Sequence, residues 1–422
     1  MRPERAARPA PVRAEPAGAA QAAPLEAPAP AHRAADGERR TGMRLPRWWH
    51  RLEDRLLSWR DARIADPTFR HRAAGAWWGR WMARRRASQL FDLVAGFVYS
   101  QVLLACVRLE VFERLAQGPQ RIEALAPQLG LAPEATRRLV AAAVSLKLLR
   151  RRRDGRIALG ALGAPMVGNP AVAAMVEHHS ALYGDLRDPV ALLRGEAATT
   201  LASYWPYATG SRGAGAMSAE RVAAYSALMS ASQSIVIDEV LAAYDFGAHR
   251  VLLDVGGGEG RFIAAVGRQA PALRLMLFDL PPVVERAARR PEAQALGDRL
   301  QLVPGDFFSG ALPRGADVIS LVRVLFDHPD ERVAALLRAV RAALPPGGRL
   351  LVAEPMSATP GAEAMGDAYF GFYLLAMGEG RPRSAAEIEG LLRAAGFGDV
   401  RRLKPHLPLH AQVLVASAVG AP

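Results

Sequence analysis

An apolar run, an acidic residue and a cluster of four glycines follow one another at Val251-Leu252-Leu253-Asp254-Val255-Gly256-Gly257-Gly258-Glu259-Gly260. Val251–Val255 reads as a buried parallel strand. Glycines carry no Cβ, so the chain can turn sharply there and pass close to a ligand. Arg261–Arg268 reads as the next helix, with its N-terminus facing the same ligand. A second acidic strand end, Leu277-Phe278-Asp279-Leu280-Pro281, comes 25 residues after Asp254. A carboxylate at that distance suits the hydroxyl pair of a ribose. Together these features predict a nucleoside-bearing cofactor lying across the carboxyl ends of a parallel sheet.

The glycine spacing narrows the choice. A dinucleotide fingerprint needs Gly-x-Gly-x-x-Gly, but Arg261 stands where the third glycine belongs, and no Lys-Ser/Thr pair follows for a phosphate loop. The pattern Asp254-x-Gly256-x-Gly258-x-Gly260 resembles the first motif of S-adenosylmethionine (SAM)-dependent methyltransferases. A glycine-rich turn in another α/β domain is the plainer alternative.

The elements that position these residues follow from composition and pattern. With 422 residues, half of them hydrophobic, the chain can hold two or more domains. Its single cysteine, Cys106, excludes an internal disulfide and a cysteine metal cluster, and no metal is expected. That, with no apolar signal segment, suits the cytosol. The run Leu93–Val107 contains Ser100 and Gln101 and is too short for a membrane span, so a buried helix is expected.

Charge is uneven. Residues 1–90 hold 19 arginines against 9 acidic residues, a surplus of +10 within the total of +13. Residues 1–42, rich in Ala, Pro and Arg, are expected to be disordered. Met43 opens the first amphipathic stretch and is an alternative start. Residues 43–89 interleave Arg with six of the seven tryptophans. This composition suits a peripheral membrane surface, and equally a helix packed on the body with a solvated basic face.

Residues 90–165 read as one long helix over 90–116, then helices at Arg121–Leu129 and Pro133–Leu146, then a hairpin about Asp154-Gly155. That order is a winged helix. Its second helix carries only Glu134, Arg137 and Arg138 as charges. Dimer formation is therefore expected rather than nucleic-acid binding. Residues 166–247 read as a helical, substrate-lining linker broken at Tyr204-Trp205-Pro206-Tyr207. From 248 to 422 strands alternate with helices: Val251–Val255, Leu275–Phe278, Leu300–Val303, Val318–Val322, Arg349–Val352 and Ala411–Ala416. The fold class is α/β, a C-terminal doubly wound SAM-binding sheet behind an N-terminal helical, winged-helix dimerisation domain.

Residues 90–418 resemble the SAM-dependent O-methyltransferases of the caffeate and hydroxyindole type. The marks are Asp254-Val255-Gly256-Gly257-Gly258, Phe278-Asp279-Leu280-Pro281, Gly305-Asp306-Phe307-Phe308, Pro345-Pro346-Gly347-Gly348 and Ala353-Glu354-Pro355. Leu90-Phe91-Asp92-Leu93-Val94-Ala95-Gly96-Phe97-Val98-Tyr99-Ser100-Gln101 and Val322-Arg323-Val324-Leu325-Phe326-Asp327-His328 resemble the purple-bacterial carotenoid branch, which acts on hydroxyneurosporene or demethylspheroidene. The resemblance implies a homodimer with SAM as cofactor. It implies that Gly256 and Gly258, beside Asp254, line the methionine part, that Asp279 holds the ribose, that Asp306 and Phe307 meet the adenine, and that Arg323 lies near the cofactor. It also implies an apolar hydroxycarotenoid acceptor, with Met229, Phe326, Phe370 and Met377 as candidate linings beside Met175, His178, His179, Tyr369, Phe372 and Tyr373. The protein would work in the cytosol, peripheral on the inner photosynthetic membrane.

One departure matters. The family's Leu-His-Asp-Trp, whose histidine is the general base, is replaced by Leu325-Phe326-Asp327-His328. A late-loop carboxylate is replaced by Pro382, while Glu354 is kept. A phenol ionises near pH ~10, within reach of an imidazole; a tertiary alcohol does not, so transfer must start from the neutral hydroxyl. Placement and desolvation then carry the rate. His328 and Glu354 are the candidate catalytic groups, with His328 either accepting the proton or only ending a loop before Pro329. A phenolic or polyketide methyltransferase, a SAM-binding regulator and a SAM protein without transfer remain alternatives.

Overall fold

The computed structural model describes residues 47–75, 77–204, 233, 236–404, 406 and 411–420. The expected disorder of residues 1–42, residues 205–207 of the expected break at 204–207 and the candidate lining Met229 lie outside the described residues.

The chain divides into two units at Leu90/Phe91. The first contains the helices Arg47–Ala65 and Pro67–Gly75 and the beginning of the helix Trp77–Arg108. Asp66 accepts the Thr68 amide at 2.8 Å, and Pro67, whose missing N–H costs nothing at a first helical position, starts the second helix. Trp59 and Trp81 are exposed, each with an arginine over its ring: Arg63 at 5.4 Å and Arg85 at 5.6 Å.

The second unit opens on the remainder of Trp77–Arg108, followed by Val111–Ala116, Ile122–Gln128 and Pro133–Ser145. The expected single helix over 90–116 is two. Glu110 adopts a left-handed conformation, φ 54°, and ends the first. Strands β1 (Leu149–Arg151) and β2 (Ile157–Leu159) pair antiparallel around the expected hairpin. Cys106, Phe112, Leu125, Val140, Leu149 and Ile157 form the core of this region.

The expectation that Leu93–Val107 is buried is corrected. Leu104 and Cys106 are buried, but Leu90, Phe91, Leu93, Val94 and Phe97 are exposed, Leu93 at 82%. The span Arg80–Arg108 is long and apolar enough to cross a membrane by length and composition, and only 11% of its most apolar window is buried. Apolarity alone does not distinguish a face that packs within its own chain from one covered by something else.

Three further helices follow: Pro170–Asp185, Pro189–Leu193 and Thr200–Tyr204. The Asp185 carboxylate, nearly buried, accepts the amides of Thr200 at 2.6 Å and Leu201 at 2.9 Å, so the end of one helix starts another.

The large sheet contains β3 (Val251–Val255), β4 (Arg274–Asp279), β5 (Leu300–Pro304), β6 (Val318–Val322), β7 (Arg349–Glu354), β8 (Phe397–Leu403) and β9 (Gln412–Ala418), in the order β5-β4-β3-β6-β7-β9-β8. The first five are parallel; β9 runs antiparallel to both β7 and β8. Strand β8 is absent from the sequence-based reading. It is an edge strand of alternating burial, Phe397-Gly398-Asp399-Val400-Arg401-Arg402-Leu403, with a register shift between Gly398 and Arg401, so it lacks the apolar run that marks its neighbours. The strand order reverses between β3 and β6. The crevice beyond their carboxyl ends is where an open α/β sheet binds its ligand.

Candidate active site

Gly256, Gly258 and Gly260 leave β3 with φ of 69°, 58° and 81°, a conformation that a side chain would strain. The loop also needs room. A Cβ on Gly257 would lie 2.5 Å from Asp254 Oδ2, and one on Gly256 would lie 2.9 Å from a Val324 methyl. The Asp279 carboxylate at the end of β4 accepts the amides of Gly258 at 2.8 Å and Leu280 at 2.7 Å. Asp279 thus ties the glycine loop to the next strand. Burial raises its pKa, and the two amides oppose that.

Asp254 is fully enclosed. Ser320 donates to Oδ1 at 2.6 Å, whereas Oδ2 has no hydrogen-bond partner among the described residues. Burial pushes this carboxyl up to about 7. A cationic ligand in the glycine loop would favour the charged form again. An acidic residue under the loop, a second carboxylate facing it and an aromatic wall fit a cofactor with a cationic methionine part, a ribose and a flat base.

The aromatic wall comes from the loop after β5. Asp306 accepts the Phe308 amide at 2.8 Å and turns the chain, so that Phe307 packs toward Gly256. Phe307 and Phe308 meet edge to face at 4.6 Å, and the His328 ring lies against both, at 5.7 Å and 4.9 Å. His328 therefore packs against Phe307, a side chain expected to meet an adenine, and against its neighbour Phe308. Burial first, and then the charges of Arg332 and Arg383, lower its pKa to about 4. This placement favours a wall role over the expected role as proton acceptor. His328→Ala should weaken SAM binding by up to ~10-fold, the worth of one aromatic contact, with turnover at saturating SAM retained. Calorimetry beside steady-state kinetics checks the split; unchanged SAM affinity with lost turnover would restore the proton-acceptor role.

The residues after β6 and β7 complete the site. Arg323 has φ 58°, rare for a side chain, and its amide donates to Ala353 O at 2.8 Å. Glu354, fully buried, accepts the Phe326 amide at 3.1 Å. Burial pushes Glu354 up to about 7 against the amides of Phe326 and Leu325 and the charge of Arg383. Asp327 beside it is raised well above the usual carboxylate range, also by burial, with Arg323 opposing and Glu354 reinforcing. The Phe326 ring packs edge to face on Phe370 at 6.0 Å, and Met377 is buried in the same apolar cluster. Asp254, Gly256, Gly258, Asp279, Asp306, Phe307, Arg323, Phe326, His328 and Glu354 thus stand at or just after the carboxyl ends of β3–β7, and Phe370 and Met377 join them through the cluster that holds Phe326.

Sequence reading missed Arg383. Its side chain is fully buried and donates to Leu325 O at 2.8 Å and His328 O at 2.7 Å, and it is paired with Asp330. It braces both ends of the loop that carries Phe326 and Asp327. Gly380 lets its own backbone approach the same loop, because a Cβ there would sit 2.3 Å from Phe326 O. The buried arginine looks in sequence like one more arginine in an arginine-rich chain.

Residues 183–398 match the O-methyltransferase domain model, and residues 91–174 match the O-methyltransferase dimerisation domain model. The chain belongs to the O-methyltransferase family. Among curated relatives, demethylspheroidene O-methyltransferase of Cereibacter sphaeroides is 49% identical over 345 residues, covering 81% of this chain and 88% of the relative. That of Rhodobacter capsulatus is 44% identical, covering 79% and 83%. The crystal structure of human N-acetylserotonin methyltransferase in complex with SAM superposes with a TM-score of 0.65 at 26% identity, covering 79% of this chain and 98% of that one.

This O-methyltransferase is therefore a SAM-dependent enzyme, with a helical dimerisation domain before a seven-stranded Rossmann-like sheet. The dimerisation domain supports a homodimer acting on a small molecule. The exposed apolar residues Phe91–Phe97 fall inside it.

Proposed function

We propose that this O-methyltransferase methylates the tertiary hydroxyl of an acyclic hydroxycarotenoid of the demethylspheroidene type. One observation carries the reading: Phe326, a side chain that cannot take a proton, stands at the family's base position and packs on Phe370. The names of the two bacterial relatives agree with it. SAM supplies an electrophilic methyl group on a sulfonium. Asp254, Gly256 and Gly258 hold its methionine part, Asp279 the ribose, and Asp306, Phe307 and His328 the adenine, with Arg323 beside them. Phe326, Phe370 and Met377 line the apolar side. Glu354 Oε1 and Asp327 Oδ1 have no protein hydrogen-bond partner among the described residues and offer positions for an acceptor hydroxyl.

A polyene is dissolved in membrane, so the enzyme must meet it there. The Trp- and Arg-bearing helix Arg47–Ala65 supports a peripheral place on the inner photosynthetic membrane. It exposes Leu56 at 58% and Trp59 at 61%, and such a helix buries its apolar side chains at headgroup depth. The test is methyl-labelled SAM with acyclic 1-hydroxycarotenoids in anionic vesicles. Label is expected in the extracted pigment. Replacing Leu56 and Trp59 by alanine is expected to lower transfer about tenfold or more, from the apolar burial lost, with SAM affinity unchanged. No label with SAM binding intact would move the acceptor to a phenol.

A further inference from the structure

Methylation of a neutral alcohol releases a proton, and Phe326 leaves no imidazole where the family keeps one. We propose that Tyr373 and His178 form the route by which the acceptor's proton leaves. The proposal rests on the neutral-alcohol reading above and extends it.

Tyr373 is 5% exposed and belongs to the apolar cluster that holds Phe326 and Met377. Phe370 lies between them, 6.0 Å from Phe326 and 6.3 Å from Tyr373. The Tyr373 hydroxyl is 2.9 Å from His178 Nε2, and the rings are 5.8 Å apart. His178 comes from the helix Pro170–Asp185 and is only half-buried, so it reaches from the core toward solvent. One turn earlier the pairing repeats, with Tyr369 and His179 2.8 Å apart and Tyr369 stacked on Tyr373 at 5.8 Å. Tyr373 is preferred because it is buried within the cluster that holds Phe326, whereas Tyr369 is only partly buried against it.

The charged and titratable neighbours are Tyr369, Arg323 and Asp327 about Tyr373, and His179 and Asp185 about His178. Burial first, then His179, lowers the His178 imidazole to about 4, so it is neutral at pH 7. In the tautomer with the proton on Nδ1, Nε2 accepts the Tyr373 hydroxyl.

The balance is simple. The acceptor oxygen forms a bond to the methyl carbon with its lone pair, and the carbon–sulfur bond breaks with its electrons going to sulfur. The oxonium proton passes to Tyr373 Oη while the tyrosine proton passes to His178 Nε2. The imidazolium then loses its Nδ1 proton to water and regains its starting tautomer by exchange. A protonated ether is a far stronger acid than any imidazolium, so even an imidazole weakened by burial accepts the proton downhill. Tyr373 touches the acceptor in this route; His178 acts through it as a positioning residue.

The test uses the full chain, hydroxycarotenoid in vesicles and single-turnover label transfer. Tyr373→Phe keeps the ring and is expected to lower the rate about 10²-fold, the usual worth of a proton-transfer group. The solvent deuterium isotope effect should change, with SAM affinity and acceptor KM little altered. His178→Gln should give a loss of similar order, and the double variant little more, because the pair acts as a unit. Nitrogen NMR at pH 7 should find His178 neutral with its proton on Nδ1. An imidazolium, or a proton on Nε2 donated to Tyr373, would overturn the proposal. Transfer by Tyr373→Phe equal to that of the unaltered enzyme would overturn it alone; no transfer by the unaltered enzyme would overturn the carotenoid reading and this proposal with it.

Discussion

Arg383→Ala is expected to destabilise the methyltransferase domain by about 3–5 kcal/mol, the range for breaking a buried charged cluster. The guanidinium is wholly enclosed and satisfies two backbone carbonyls, Leu325 O and His328 O, besides its pairing with Asp330. Alanine takes the arginine's donors from both carbonyls, leaving Leu325 O only the His328 amide at 3.2 Å, and opens a cavity. Asp330 itself is half-exposed, so water can recover that partner; the carbonyls are the greater loss. At roughly 2–4 °C per kcal/mol for a domain of this size, the midpoint should fall by on the order of 10 °C. Arg383→Lys should rescue little, because one ammonium cannot reproduce the planar fork that reaches three acceptors. Calorimetric unfolding of the three proteins decides it. A loss under about 1 kcal/mol would show that the loop Leu325–His328 holds its shape without this brace.

Asp279→Ala is expected to weaken SAM binding by about 10²-fold or more. Two hydrogen bonds from a ribose to a carboxylate are worth roughly 3 kcal/mol together at the low end. The same carboxylate accepts the Gly258 and Leu280 amides, so alanine also releases the glycine loop. Asp279→Asn keeps the volume and one acceptor and should lose less. Equilibrium dialysis with labelled SAM checks both. Equal affinity of Asp279→Ala and the parent protein would move the ribose elsewhere. Acceptor binding is expected to be nearly unchanged, since Phe326, Phe370 and Tyr373 lie together in a separate cluster.

The cofactor half of the site was legible because its residues are held by local geometry. A strand, a glycine turn and an acidic strand end are contiguous, and the reader needs only strand periodicity and the freedom of glycine to place Asp254, Gly256, Gly258 and Asp279. The acceptor half was less so. Phe326 was recognisable as a departure at one position, but its partners come from residues 354, 370 and 373, and no local pattern relates them. His328 illustrates the limit: its spacing from Phe326 suggested a substitute base, while its ring packs with Phe307 and Phe308.

By itself the sequence determined the parallel sheet, the glycine loop, the missing imidazole and the family. These are readable because strand burial, turn conformation and motif spacing are set over a few residues. The tertiary structure decided which side chains meet. It buried Arg383 behind the Phe326 loop, aligned Tyr373 with His178 and left Phe91–Phe97 uncovered within a chain that could equally have folded that face inward. Burial and partner choice depend on residues far apart in the chain, and the same arginine, tyrosine or phenylalanine reads identically in sequence whether it ends in solvent or in a core.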